Sequence, residues 1–140
     1  MESHLTDITR VIQLAVAPVF LLTAIATTIS AMNTRLGRIV DRRRVVQARS
    51  DGDDPQAALE LTLLARRSQL VYHAIFCAVL SALLVCLVVA GAFLGALLTV
   101  DLARAVATLF IGAMVAMIAG FSLFLREIYL AVRTGSHFRG

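Results

Sequence analysis

Residues 11–34 read VIQLAVAPVFLLTAIATTISAMNT, and the first charge after them is Arg35. As a helix rising about 1.5 Å per residue, this charge-free run exceeds the roughly 20 residues that cross the hydrocarbon core of a bilayer. Two further runs share the property, 68–100 and 105–125. In lipid every backbone N–H and C=O needs an internal partner, so apolar runs of this length are read as helices. The fold class is therefore an all-α membrane protein with three transmembrane helices, spanning about 11–34, 69–98 and 105–125. The composition agrees: of 140 residues, 59% are hydrophobic and 16% charged, whereas a soluble domain carries about a quarter charged. Three spans leave too little chain for a separate soluble domain, and residues 1–140 are read as a single membrane domain.

The net charge of +4 comes from 13 basic residues, all of them Arg. An all-arginine chain suggests a GC-rich bacterial genome. The arginines cluster beside the apolar runs, where membrane topology accounts for them, so a nucleic-acid partner is not expected. The first run is too long for a cleaved signal peptide, and its dense positive charge follows it instead of preceding it.

Thr6 or Asp7 is placed to cap the first helix, which is expected to begin near Ile8. Pro18 lies inside it, where a missing backbone hydrogen bond favours a kink, although membrane helices also accommodate proline without one. After Thr34 the sequence RLGRIVDRRRVVQARS places Leu36, Ile39, Val40 and Val46 on one imperfect apolar face. The first helix should thus continue beyond the membrane. The turn SDGDDP, residues 50–55, contains Gly52 and then Asp54-Pro55, an N-cap followed by proline at the first helical position. The next helix carries Leu61, Leu64 and Ala65 toward the first extension, so residues 35–67 form a cytoplasmic helical hairpin extending helices 1 and 2. From Pro55 to Leu98 that second helix would measure about 65 Å. Thr99 to Arg104 is a short turn in which Asp101 can cap the third helix and Arg104 can pair with Asp101. A tail, 134–140, carries Gly and Ser and is expected to be mobile.

Orientation follows from the arginines. Eight lie in 35–67 and three from Arg126 onward, against one each at the N-terminus and in the second turn. The positive-inside rule places the hairpin and C-terminus in the cytoplasm and the N-terminus outside, in a multi-pass protein of a bacterial inner membrane. Tyr72 and Tyr129 then fall at the same interface.

Read at alternating steps of three and four, the first helix presents Gln13, Val16, Phe20, Thr23, Thr27, Ser30, Thr34 and, two turns on, Asp41. Lipid does not reward exposed hydroxyls, so this stripe should meet protein or water. In one reading several copies line a pore with it, Gln13 and Asp41 marking the mouths and Phe20 with Val16 forming a constriction that can dewet. In the other, the hydroxyls bond their own backbone or a neighbouring helix in ordinary packing. Arg35, Arg38 and Arg42 share a helical face; they suit anionic lipid headgroups, a cytoplasmic vestibule, or plain topological anchoring. Gly91 and Gly95, and Gly112, Ala116 and Gly120, place small residues at spacing four, which lets helices approach within a subunit or between subunits.

Catalytic and metal chemistry find no footing. His73 and Cys77 are four apart, but two ligands are too few for a closed metal site. Cys77 and Cys86 lie on opposite helix faces and read as small apolar fillers. No GxSxG, P-loop or HExxH occurs, and no carboxylate lies inside the charge-free runs. Neither an enzyme nor a cofactor is expected.

The stretch ITRVIQLAVAPVFLLTAIATTISAMNTRLGRIVDRRR, with Gln13, Ala17-Pro18-Val19-Phe20, Asn33 and the RLGRIVDR segment, resembles a bacterial family of small membrane proteins filed as domain of unknown function 2721. The resemblance covers essentially the whole chain and implies a three-helix bacterial inner-membrane protein. It implies no activity, ligand or catalytic residue. The expected function is a homo-oligomeric membrane protein forming a passive, channel-like pathway lined by helix 1, with bilayer lipid and anionic headgroups as partners. The alternative is a non-conducting scaffold or regulatory subunit that binds a cytoplasmic protein through the hairpin, with Leu61 and Leu64 as its contacts. An accessory subunit of a larger transporter is a third.

Overall fold

The computed structural model describes residues 2–49 and 54–137. Its elements are three α-helices: α1 (Glu2–Arg49), α2 (Pro55–Leu98) and α3 (Ala103–His137). Each contains a window long and apolar enough to cross a membrane, which makes this a multi-pass membrane protein. α1 continues past the end of its apolar run without interruption and contains Pro18. α2 begins where the Asp54-Pro55 signal places it: Asp54 Oδ1 accepts from the Gln56 amide at 3.0 Å, satisfying one of the unpaired donors of the first turn. It ends at Leu98 as expected. Thr99 follows in the left-handed region, with φ 54°, and the Val100 amide donates to the Gly95 carbonyl at 3.2 Å. That is how the last turn closes. Asp101 Oδ1 then accepts from the Ala103 amide at 3.1 Å and caps α3.

Contacts group the chain into two compact units. Unit 1 comprises Met1–Thr28 and Ala78–Ile118; unit 2 comprises Ile29–Cys77 and Ala119–Gly140. In unit 1, α2 and α3 run antiparallel and close. The Ser81 hydroxyl, fully buried, donates to the Ala113 carbonyl at 2.8 Å. A Cβ at Gly91 would stand 3.2 Å from Val106 Cγ2, and one at Gly112 would stand 3.6 Å from Leu84 Cδ1. Ala78, Ser81, Val85 and Val88 form the buried edge of α2, and Ala113 and Met117 that of α3. Within Glu2–Thr28, by contrast, Ile25 is the one buried residue among those described.

In unit 2, α1 and α2 form the antiparallel hairpin. Arg35 and Arg67 meet the same carboxylate, and Arg42 meets Glu60 nearer the turn. Met32, Ile39 and Val46 are buried at intervals of seven on α1; on α2, Leu64 and Val71 are buried seven apart, with Ser68 and Ala74 buried beside them. A seven-residue repeat keeps one seam in contact when helices coil gently left-handed around each other.

Several boundaries differ from expectation. α1 starts at Glu2, so neither Thr6 nor Asp7 is its cap; the Thr6 hydroxyl donates to the Glu2 carbonyl at 2.7 Å inside the helix. α3 continues through 134–137, where the Thr134 hydroxyl bonds the Leu130 carbonyl, so that part of the tail is ordered helix. Asp101 and Arg104 are not among the ion pairs of the described residues; Asp101 spends its oxygen on the cap. The first four residues of the SDGDDP turn, Gly52 included, lie outside the described residues.

Candidate functional site

The α1 stripe is uncovered along its length. In unit 1, Gln13, Val16, Phe20, Thr23 and Thr27 are exposed, Phe20 at 72% and Val16 at 47%. In unit 2, Ser30, Thr34 and Asp41 are exposed as well. The hydroxyls are not idle. Thr27 donates to the Thr23 carbonyl at 2.9 Å, Thr34 to Ser30 at 3.0 Å, and Thr23 to Val19 at a long 3.4 Å. Each oxygen thereby keeps acceptor capacity, since a hydroxyl that donates once still has lone pairs to offer. A face carrying those lone pairs can meet water or a second polar helix at low cost; against acyl chains the lone pairs go unused.

Gly91 and Gly95 make room for close approach within the chain. Gly91 admits Val106, and a Cβ at Gly95 would come within 3.3 Å of the Val100 carbonyl oxygen, so Gly95 also makes room for the α2–α3 turn. Gly112 faces Leu84 at ordinary contact distance. Ala116 is half-buried, and Gly120, in unit 2, is buried. Also in unit 1, α1 is held apart from the α2–α3 pair by a cavity of about 750 Å³. Pro18, Leu21, Gly91, Gly95, Val106 and Phe110 are among its walls, and Asp101 is its one charged lining residue. Such a lining offers few partners to water.

Unit 2 holds the strongest electrostatic feature, centred on a residue that sequence reading passed over. Glu127 is fully buried. Its Oε2 accepts from Arg35 Nε at 2.5 Å, and its Oε1 from Arg67 Nε and Nη2, both at 3.1 Å. The Arg35 guanidinium also lies 6.0 Å from the centre of the Phe124 ring. One carboxylate thus ties all three helices together. Burying a charge is costly unless it is paired and hydrogen-bonded, and two arginines meet that condition. Arg42 pairs with Glu60 at 2.9 Å near the surface. Arg38 is exposed and takes part in none of the ion pairs among the described residues. Arg35, Arg38, Arg42 and Arg67 line a common cavity of about 310 Å³ with Ile39 and Leu64. The signal for Glu127 was present: α3 contains a single carboxylate, two residues beyond its apolar run.

Leu64 is buried in the hairpin and Leu61 half-buried, so neither is a free docking surface. Substituting Leu64 would test folding and not partner binding. The exposed large apolar side chains of the hairpin are Val45 and Leu59. His73 is exposed with Nδ1 2.7 Å from the Gln69 carbonyl; Cys77 is half-buried and Cys86 exposed, both as free thiols.

The family model described as a protein of unknown function, DUF2721, matches residues 15–136. Neither curated proteins nor solved structures give a significant match.

Proposed function

The chain belongs to the DUF2721 family of proteins of unknown function, and from that premise we propose a homo-oligomeric membrane protein whose first helices surround a passive, channel-like pathway. The observation that carries the reading is the uncovered stripe of α1: a hydroxyl-bearing face that its own protomer leaves open. Three helices enclose too little space for a wet path, and the cavity of about 750 Å³ in unit 1 is lined almost wholly by apolar side chains. Conduction therefore needs several copies. Thr23, Thr27, Ser30 and Thr34 would line the pathway, Gln13 and Asp41 would stand at its mouths, and Phe20 with Val16 would form the constriction, dry when narrow. The arginine distribution sets the proposed orientation: N-terminus outside, hairpin and C-terminus in the cytoplasm of a bacterial inner membrane. No catalysis and no cofactor enter the proposal.

Purified protein in liposomes tests it. Wild type should give measurable ion flux as a symmetric oligomer, Phe20→Ala should increase leak several-fold, and Val16→Ala should increase it less. Robust wild-type flux that neither variant changes would remove the gate; a monomer without flux would remove the channel.

A second reading has its own support. Thr23, Thr27 and Thr34 already spend their protons on their own backbone, as they would in a dry seam between helices. The oligomer would then be a non-conducting scaffold, with the exposed Val45 and Leu59 of the hairpin available to a cytoplasmic protein. Leu59→Glu should abolish that partner while leaving the oligomer intact.

A further inference from the structure

We infer that unit 2 carries a binding site for a phosphate-bearing lipid headgroup, held by Arg38 and Arg42 over the Glu127-anchored guanidiniums of Arg35 and Arg67. The site is the cavity of about 310 Å³ between α1 and α2, whose apolar floor is Ile39 and Leu64. Four guanidiniums line the cavity; Glu127 offsets one of the two it binds, and Glu60 offsets Arg42. Two positive charges remain in surplus, a balance that suits one doubly charged phosphate or two phosphodiesters. Arg38 is the clearest part of that surplus, for it has no acid partner among the described ion pairs.

A guanidinium has five N–H donors in a planar fork. Arg35 and Arg42 each spend Nε on their carboxylates. Their terminal amino groups remain to grip an oxygen anion, the arrangement in which arginine binds phosphate best. Glu127 orients the Arg35 and Arg67 forks before any ligand arrives, which lowers the entropy cost of binding.

Depth then favours a lipid over a soluble ion. Arg35 is the first charge after one apolar run, Arg67 the last before another, and Glu127 stands just past the third. The cavity thus opens where hydrocarbon gives way to headgroups, and Arg38 and Arg42 lie one and two turns farther out on α1. Basic pockets between membrane helices at this level recognise lipid phosphates. The site does not depend on whether the protein conducts.

Native mass spectrometry of the detergent-solubilised full chain, with cardiolipin, phosphatidylglycerol, phosphatidylcholine or inorganic phosphate added, tests the inference. Cardiolipin should be retained most tightly and phosphatidylcholine least. Arg38→Gln should weaken cardiolipin binding roughly tenfold, the scale of a lost charge-assisted hydrogen bond. It breaks no ion pair among the described residues, so its thermal unfolding without lipid should match wild type. Arg44→Gln, an exposed arginine of the same helix that does not line the cavity, should bind as wild type does. Equal weakening by both variants would mean diffuse attraction and no site, and phosphatidylcholine held as tightly as cardiolipin would also overturn the inference. If inorganic phosphate binds as tightly as cardiolipin and is lost with Arg38→Gln, the site stands with a soluble phosphate as its occupant.

Discussion

Glu127 and Glu60 are both glutamates paired with arginine, and their surroundings make them unequal. Glu127 has no exposed side-chain surface and holds two guanidiniums, whereas the Glu60 pair is partly open to solvent, with Arg42 51% exposed. Removing one partner of a buried ion pair strands the other charges, at about 3–5 kcal/mol; removing one partner of a surface pair costs about 0.2–1 kcal/mol. Glu127→Gln, which keeps the shape and removes the charge, should therefore lower stability in detergent several-fold more than Glu60→Gln. Reversible chemical unfolding monitored by circular dichroism measures the difference, and equal losses would mean that the triad does not hold the helices. This residue was hard to read in the sequence because a charge just past an apolar run is also what topology alone would place there. Distinguishing the two requires knowing that positions 35, 67 and 127 meet, and that register is tertiary. Arg35 and Arg42 were recognised as one basic face, but their acid partners lie on other helices, beyond the reach of local spacing.

The helices themselves were legible. Apolar runs without charge gave all three, and Asp54-Pro55 gave the start of α2, because both signals act within a few residues of chain. The start of α1 and the end of α3 extend beyond the sequence expectation: polar residues near a membrane helix look like caps and tails, yet they continue a helix already nucleated by the apolar run. Small residues at spacing four were also visible, but not whether they served this protomer or another. The α2–α3 contacts now separate them. A Cβ at Gly91 would already press on Val106 at 3.2 Å, while one at Gly112 would meet Leu84 at an ordinary 3.6 Å. Gly91→Leu should overpack the α2–α3 seam and cost about 1–3 kcal/mol, whereas Gly112→Ala should be close to neutral. Thermal unfolding of the two variants in the same detergent checks the contrast; comparable losses would place Gly91 away from a tight seam.

At the scale of the whole protein, the proposed assembly rests on where α1 points. In a background with Cys77→Ser and Cys86→Ser, Thr27→Cys should form disulfide-linked dimers on oxidation in native membranes, since the stripe would face sibling subunits. Val115→Cys, exposed on α3, should stay monomeric. Dimers from the α3 position with none from α1 would move the interface to α3 and end the channel reading. The ribosome delivers Arg35 first and Arg67 next, and Glu127, the carboxylate that pairs with both among the described residues, arrives with α3. A nascent chain that has inserted two spans therefore holds opposed like charges at the membrane boundary. Synthesis of α3 brings the counterion, so the pairing that joins α1 to α2 at this level is completed after both of those helices have been made.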